Sequence, residues 1–148
     1  MKVSFIGSVG IPNKYGGFES FLEHVGPELL KSCESVTVTC DSSYYPDDKS
    51  KLFKGVERLF LNVKANGMAS IFHDFFAFLK VYKNSSHIIV LGVSGGVWFP
   101  LMYFMCLFSG KKLGVNIDGV EWRRAKFSIP IKIVLKIFDY LAQRFSHF

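Results

Sequence analysis

The sequence is poor in residues that staple a chain or ligate a metal. Its three cysteines, Cys33, Cys40 and Cys106, are odd in number and show no C-x-x-C spacing. That argues for a reducing compartment and against a zinc site. His24, His73, His87 and His147 are scattered, so no metal-ligand set is visible, and neither a metal nor a cofactor is expected. The G-x-G-x-x-G turn is absent, which removes the tight dinucleotide fingerprint. No motif that reads RNA or DNA is present, so nucleic acid is not an expected partner. There is no internal repeat and no low-complexity tract. Long apolar runs are missing too. The charge-free run 88–108 is broken by Ser94-Gly95-Gly96 and Pro100, and what remains, 97–108, is too short to span a bilayer. Lys2 is followed by an apolar run broken at Gly7, Gly10 and Pro12, so no signal peptide is expected.

Acids are scarce, 12 against 18 lysines and arginines, and the imbalance is local. Residues 109–148 carry eight basic residues and only Asp118, Glu121 and Asp139 as acids; residues 1–108 carry ten basic residues against nine acids. A basic, apolar last third suits anionic phosphate or anionic lipid better than nucleic acid. What the chain has in quantity is apolar bulk: 49% hydrophobic residues, 16 phenylalanines and a mean hydropathy of +0.25. That is enough for one domain with a real core, and some apolar surface should meet a partner or a lipid interface.

The chain is organised around VSFIGSVGIPNKYGGFE. Residues 2–6 read as a strand, 7–15 as a glycine-bearing loop, and Gly16-Gly17 open a helix with Phe18, Phe21, Leu22, Val25 and Leu29 on one face. A helix start leaves backbone N–H groups unpaired, and its dipole favours a negative group there. Asp41, after the second expected strand, sits where a ribose-binding acid might.

Along the chain the pattern alternates. Further strands are expected over 35–40, 56–63, 87–91 and 112–117. The first helix should be interrupted near Gly26-Pro27, because proline supplies no helical N–H. Residues 41–55 read as a polar, mobile loop. Ser70 should cap a helix carrying Ile71, Phe75, Phe78, Leu79 and Tyr82. Residues 98–108 read as a buried helix, and a last helix should start near Pro130 with Ser128 or its neighbour as cap. Five strands alternating with helices give an α/β fold, a doubly wound parallel sheet. Ligands of such sheets lie outside the strands' carboxyl ends. That brings loops 7–17, 92–96 and 118–128 to one rim. In the third loop Asp118, Glu121, Trp122, Arg123, Arg124 and Lys126 crowd together, with chemistry suited to phosphate, sugar rings and hydroxyls.

SVGIPNKYGGFESFLEHV paired with NIDGVEWRRAKFS resembles the N-terminal domain of family-four glycosyltransferases of the rhamnosyltransferase type, found in bacterial capsule and polysaccharide assembly. The resemblance runs nearly the whole chain. It implies a GT-B enzyme, with two Rossmann-like domains facing across a cleft, of which residues 1–148 would be the acceptor-side domain. The donor-binding domain with its paired-glutamate motif would then be missing, or supplied by a separate chain. It further implies a retaining transfer of rhamnose or a related hexose from a nucleotide-diphosphate sugar to a lipid-linked saccharide, at the cytoplasmic face of the membrane. By position Asp118 falls where related retaining enzymes place a histidine, which makes it the expected catalytic residue. Gly10, Tyr15, Gly16, Gly17, Glu19, Ser94, Gly95, Glu121, Trp122, Arg123, Arg124 and Lys126 are the expected substrate-binding residues.

The last helix has an apolar arc of about 220°, against an ordinary stripe of a little over 100°, so it should be covered on two sides. Two other readings stay open: a stand-alone nucleotide-binding module, and a non-catalytic membrane-surface interaction protein.

Overall fold

The computed structural model of the chain describes residues 1–117, 121–123, 125 and 127–148. Six strands form one sheet: β1 (Lys2–Ile6), β2 (Ser35–Asp41), β3 (Leu52–Phe53), β4 (Val56–Leu61), β5 (His87–Leu91) and β6 (Lys112–Asn116). Their order is β3-β4-β2-β1-β5-β6. All neighbours run parallel except β3, which pairs antiparallel with β4. The helices are α1 (Gly17–Leu29), α2 (Ser70–Tyr82), α3 (Phe99–Phe108) and α4 (Ile129–Arg144). The fold is therefore α/β and Rossmann-like, as the alternation of the sequence requires.

The β-branched alternation of the strands feeds two cores. Val3, Phe5, Val36, Val38, Val56 and Leu91 point to one face of the sheet and meet Leu22 of α1. Ile6, Ile88, Val90 and Leu113 point to the other and meet Phe78 of α2, Phe99 and Met102 of α3, and Ala142 of α4. Strand order reverses between β1 and β5. From β1 the chain moves outward through α1 to β2; from β5 it moves the opposite way through α3 to β6. The crevice at such a reversal is where doubly wound sheets take ligands.

Several expectations needed correction. α1 is not interrupted at Gly26-Pro27. Pro27 falls in the last turn, so one N–H is lost and only two residues follow before the helix ends, which leaves no downstream turn to disturb. Residues 41–55 are not a bare loop. They contain a 3-10 turn (Ser42–Tyr44) and the edge strand β3, the sixth strand that a two-residue segment could not announce. They are pinned at two points. Tyr45 is buried and donates its hydroxyl to the Pro12 carbonyl at 2.8 Å. Arg58 of β4, buried between the Tyr45 and Phe60 rings, donates to Asp48 Oδ2 at 2.8 Å. Hydrogen bonds from Ser50 together with that guanidinium hold the Asp48 carboxyl down at about 2.

Ser70 is the first residue of α2 rather than its cap, and its hydroxyl donates back to the Gly67 carbonyl at 2.6 Å. Ser128 is the N-cap of α4 but makes no side-chain cap bond. Helix α3 starts at Phe99 and is only half buried: Phe99, Met102 and Cys106 face the core, while Leu101, Phe104 and Phe108 lie in the open. No helix among the described residues is long and apolar enough to cross a membrane. Beyond α4, His147 N–H donates to the Leu113 carbonyl at 2.7 Å and Val115 N–H to the Phe148 carbonyl at 3.1 Å, so the chain lies along the edge of β6.

Two glycines of the first loop separate packing from openness. Gly10 has φ +110°, and a Cβ there would fall 2.7 Å from Cys40 Cβ. A Cβ on Gly17 would meet nothing within 4 Å. Gly10→Ala should therefore cost about 2–4 kcal/mol through strain and overpacking. Gly17→Ala, at a helical position, should be neutral or stabilise by up to about 1 kcal/mol. Urea denaturation of the two variants reads the contrast, and equal destabilisation would contradict it.

Candidate functional site

The first loop is built on one carboxylate. Glu19 lies in the first turn of α1 and is 3% exposed. Its Oε1 accepts the Val9 N–H at 2.9 Å and its Oε2 accepts the Gly16 N–H at 3.0 Å, so the two ends of the loop close on a single side chain. Such charge-assisted bonds contribute about 1.5–3 kcal/mol each. Asn13 ties the middle: its N–H donates to Glu23 Oε1 at 2.8 Å, its amide to Ser20 Oγ at 2.6 Å, and its carbonyl oxygen accepts from Tyr15 N–H at 2.9 Å. The Asp41 N–H bonds to the Val9 carbonyl at 3.0 Å and fixes the loop to β2. The loop includes a cis peptide between Ile11 and Pro12.

Chemically this leaves a defined opening. The Gly16 amide is used by Glu19, while the amides of Gly17 and Phe18 open α1 and have no intrahelical acceptor. A phosphate or other anion could take them, helped by the helix dipole. Tyr15 stands beside the opening, exposed and edge-on to Tyr44 with 6.1 Å between ring centroids. Next to it a polar hollow of about 330 Å³ is lined by Asp41, Ser42, Ser43, Asn62 and Lys64. Asp41 itself is committed to the fold: Oδ1 accepts the Ser43 N–H at 2.9 Å and Oδ2 accepts the Ala65 N–H at 2.9 Å.

The second loop, 92–96, packs rather than opens. A Cβ on Gly95 would fall 2.7 Å from Asp74 Cβ, and one on Gly96 would overlap Phe138 of α4. Ser94 lines a cavity between α2 and α4. Beneath Gly95 lies a pair the sequence reading missed. His73 and Asp74 are both buried, with His73 Nδ1 and Asp74 Oδ1 3.4 Å apart, and among the described residues His73 Nε2 and Asp74 Oδ2 have no hydrogen-bond partner. Burial pushes the Asp74 carboxyl up, against the opposing pull of His73 and the Gly95 amide. No local signal announces the pair's burial, because adjacent helical residues lie about 100° apart and both fit on a broad polar face.

In the third loop, Asp118, Arg124 and Lys126 lie outside the described residues, and Glu121 is placed by backbone alone, in the 3-10 turn Glu121–Arg123. Trp122 packs on α4, donating Nε1–H to Asp139 Oδ2 at 3.2 Å, with the Arg123 guanidinium 5.1 Å and the Lys136 ammonium 5.2 Å from its ring. A hollow of about 380 Å³ between Trp122, Lys136, Tyr140 and Arg144 follows. Of the expected residues the structure thus gathers Tyr15, Gly16 and Gly17 at the α1 start, turns Gly10, Glu19 and Gly95 to holding the loops, and sets Ser94, Trp122 and Arg123 along α4.

The open start of α1 thus lies at the reversal of an α/β sheet of Rossmann-like order. The chain belongs to the family described as Domain of unknown function (DUF1972), matched over residues 1–148. A comparison with curated proteins found no match.

The Asp74 carboxyl generates a pH prediction. Its pKa in the fold lies above its ordinary value of 3.8, so folding favours the protonated form. The stability it contributes is full below that value and is lost as pH rises through the raised one. Asp74→Asn, neutral at every pH, should remove this loss. Urea denaturation between about pH 4 and 8 compares the slopes, and identical slopes in the two proteins would place the charge elsewhere.

Proposed function

We propose that this domain is the acceptor-side half of a retaining glycosyltransferase. It would move rhamnose or a related hexose from a nucleotide-diphosphate sugar to a lipid-linked saccharide in polysaccharide biosynthesis. The observation that carries the reading is the open start of α1 at the reversal between β1 and β5. There a loop closed by Glu19 leaves the Gly17 and Phe18 amides without an intrahelical acceptor, and a Cβ on Gly17 would meet nothing within 4 Å among the described residues. It agrees with the resemblance of GIP-x-x-YGGFE and of the loop after β6. On this reading the amides approach the donor diphosphate as charge develops on it, where fixed donors lower the barrier most. Tyr15 and the polar hollow beside it would receive acceptor hydroxyls. Asp118 is the proposed catalytic group, and Arg123, Arg124 and Lys126 supply positive charge near the phosphates.

The test is transfer from nucleotide-linked rhamnose to a lipid-linked saccharide by the protein expressed from its complete reading frame. Gly17→Val should leave the melting temperature nearly unchanged, since its Cβ meets nothing, and lower transfer at least about a hundredfold by blocking phosphate approach. Wild-type turnover by the variant would sink the assignment. Tight nucleotide binding without any transfer would favour a stand-alone nucleotide module instead.

A lipid-linked acceptor requires a place at the membrane surface, and α2, α3 and α4 offer a suitable side. Phe72, Phe76, Leu101, Phe104, Ile133 and Ile137 are exposed. Lys80, Lys132, Lys136 and Arg144 accompany them, whereas the acids of these helices are Asp74, which is buried, and Asp139, which is bonded to Trp122 and Gln143. Vesicles containing anionic lipid should bind the protein, and binding should weaken as salt rises. Equal sedimentation with neutral and anionic vesicles at every salt concentration would remove the electrostatic part.

A further inference from the structure

The hollow of about 380 Å³ on α4, between Trp122, Lys136, Asp139, Tyr140, Gln143 and Arg144, falls within the roughly 300–1,000 Å³ range of small-molecule sites. Its charge is one-sided. Lys136 and Arg144 line it, and Arg123 lies over the same Trp122 ring as Lys136, at 5.1 and 5.2 Å. Asp139 is the one carboxylate of the wall, and both of its oxygens are in use. Oδ2 accepts the Trp122 Nε1–H at 3.2 Å and Oδ1 accepts the Gln143 amide at 2.8 Å. That acid therefore fixes the ring and pairs with none of the cations. Among the described residues Arg123, Lys136 and Arg144 enter no salt bridge, and the hydroxyl of Tyr140, which is 65% exposed, makes no hydrogen bond.

We propose that this hollow binds a phosphate dianion, carried on a lipid head or on a soluble phosphate ester. Three cations gathered around one aromatic ring repel one another, and contact with the ring offsets only part of that cost at an exposed site. A doubly charged anion offsets it with both of its charges. The donors also suit phosphate: a planar guanidinium that can give two parallel bonds, an ammonium with three donors, and a phenol hydroxyl. Space beyond the phosphate leaves the Tyr140 and Trp122 rings for the rest of the ester. Ile133 and Ile137, 56% and 51% exposed, share one side of α4 with Tyr140 and Arg144, so a lipid head could reach the hollow from an apolar surface. The inference goes beyond the transferase reading and does not rest on it, because the hollow lies along α4 and not at the start of α1.

The experiment is titration of the purified chain with glycerol 3-phosphate, inorganic phosphate and dimethyl phosphate at constant ionic strength, read by calorimetry and tryptophan fluorescence. The first two should saturate. Dimethyl phosphate, a monoanion, should bind more weakly, and equal binding would overturn the dianion. Lys136→Gln and Arg144→Gln should each weaken glycerol 3-phosphate by about tenfold or more, the loss of one charge-assisted contact. Both positions are exposed, and circular dichroism checks the fold. Lys83→Gln removes the same charge at the end of α2, outside the hollow, and should leave binding unchanged. An equal loss there would mean attraction to net charge alone and would overturn the site. The chain has two tryptophans, and Trp98 is stacked on Phe75, outside the hollow. The fluorescence change on binding should therefore vanish in Trp122→Phe; a change that persists would place the ligand elsewhere. Vesicle sedimentation separates the carriers. Tighter binding to phosphatidic acid than to phosphatidylserine at equal surface charge, lost in Lys136→Gln, assigns the lipid head. Saturation by glycerol 3-phosphate without that preference assigns the soluble ester. Neither saturation nor preference would overturn the inference, whatever the outcome of the transfer assay.

Discussion

The Glu19 carboxylate is the interaction on which the first loop and the start of α1 depend. Its position, three residues after the Gly16 N-cap, is that of the acid in a capping box. A glycine at the cap has no side chain to complete the box. Glu19 instead reaches past the helix start to Val9, so that one buried group satisfies donors from both ends of the loop. Burying a carboxylate is costly unless its oxygens are hydrogen-bonded, and here each oxygen has a backbone N–H. Once the loop is closed, other contacts become possible. Gly10 can press against Cys40, the Pro12 carbonyl meets the Tyr45 hydroxyl, and α1 begins at Gly17 with its first amides unblocked.

The five parallel strands and the doubly wound class were legible because each strand is a short apolar run bounded by glycine or polar residues, and the alternation with helices admits few topologies. The errors share a cause: tertiary contacts overrode a local signal. Pro27 marks a helix end in isolation, yet Gly26 is buried so close to Val56 that an added Cβ would fall 3.0 Å from its Cγ2, and the last turn is kept in place. The stretch 41–55 looked mobile because Pro46 and its serines and aspartates are turn formers. Nothing local announces that Arg58, eight residues beyond Ser50, will reach back to that carbonyl at 3.2 Å and to Asp48. A two-residue strand such as Leu52–Phe53 has no period to read.

The candidate site was legible in its residue types but not in their division of labour. Glycine at 10, 16, 17, 95 and 96 gives one signal in sequence, that a side chain is not wanted. Whether the excluded space holds a ligand or a neighbour depends on partners far away in the chain. Cys40 occupies it at Gly10, Asp74 at Gly95 and Phe138 at Gly96; at Gly17 it is vacant. Trp122 was equally ambiguous, and Asp139, seventeen residues on, decides its orientation. The burial of His73 and Asp74 is not legible in the apolar stripe of Ile71, Phe75 and Phe78, because it is set by the distant loop after β5, where Gly95 lies against Asp74.

The uneven cover of the sheet follows from chain order. Crossovers between parallel strands are right-handed, so α1, moving from β1 toward β2, lies on one face, while α2 and α3, moving the other way, lie on the opposite face with α4. Three helices abreast on one side bury their inner stripes and leave their outer ones bare. That is where the phenylalanines of α2 and α3 and the isoleucines of α4 are exposed. On the α1 side the cover stops short of β6, where the ring of Phe148 fills the place of a side chain at Gly114 and stands 6.5 Å from His87. Most of the exposed apolar residues of the helices thus lie on the α2–α4 side, in company with Lys132, Lys136 and Arg144 of α4. An apolar surface so placed is ordered by the topology itself, and a partner that covers it must meet those three helices together.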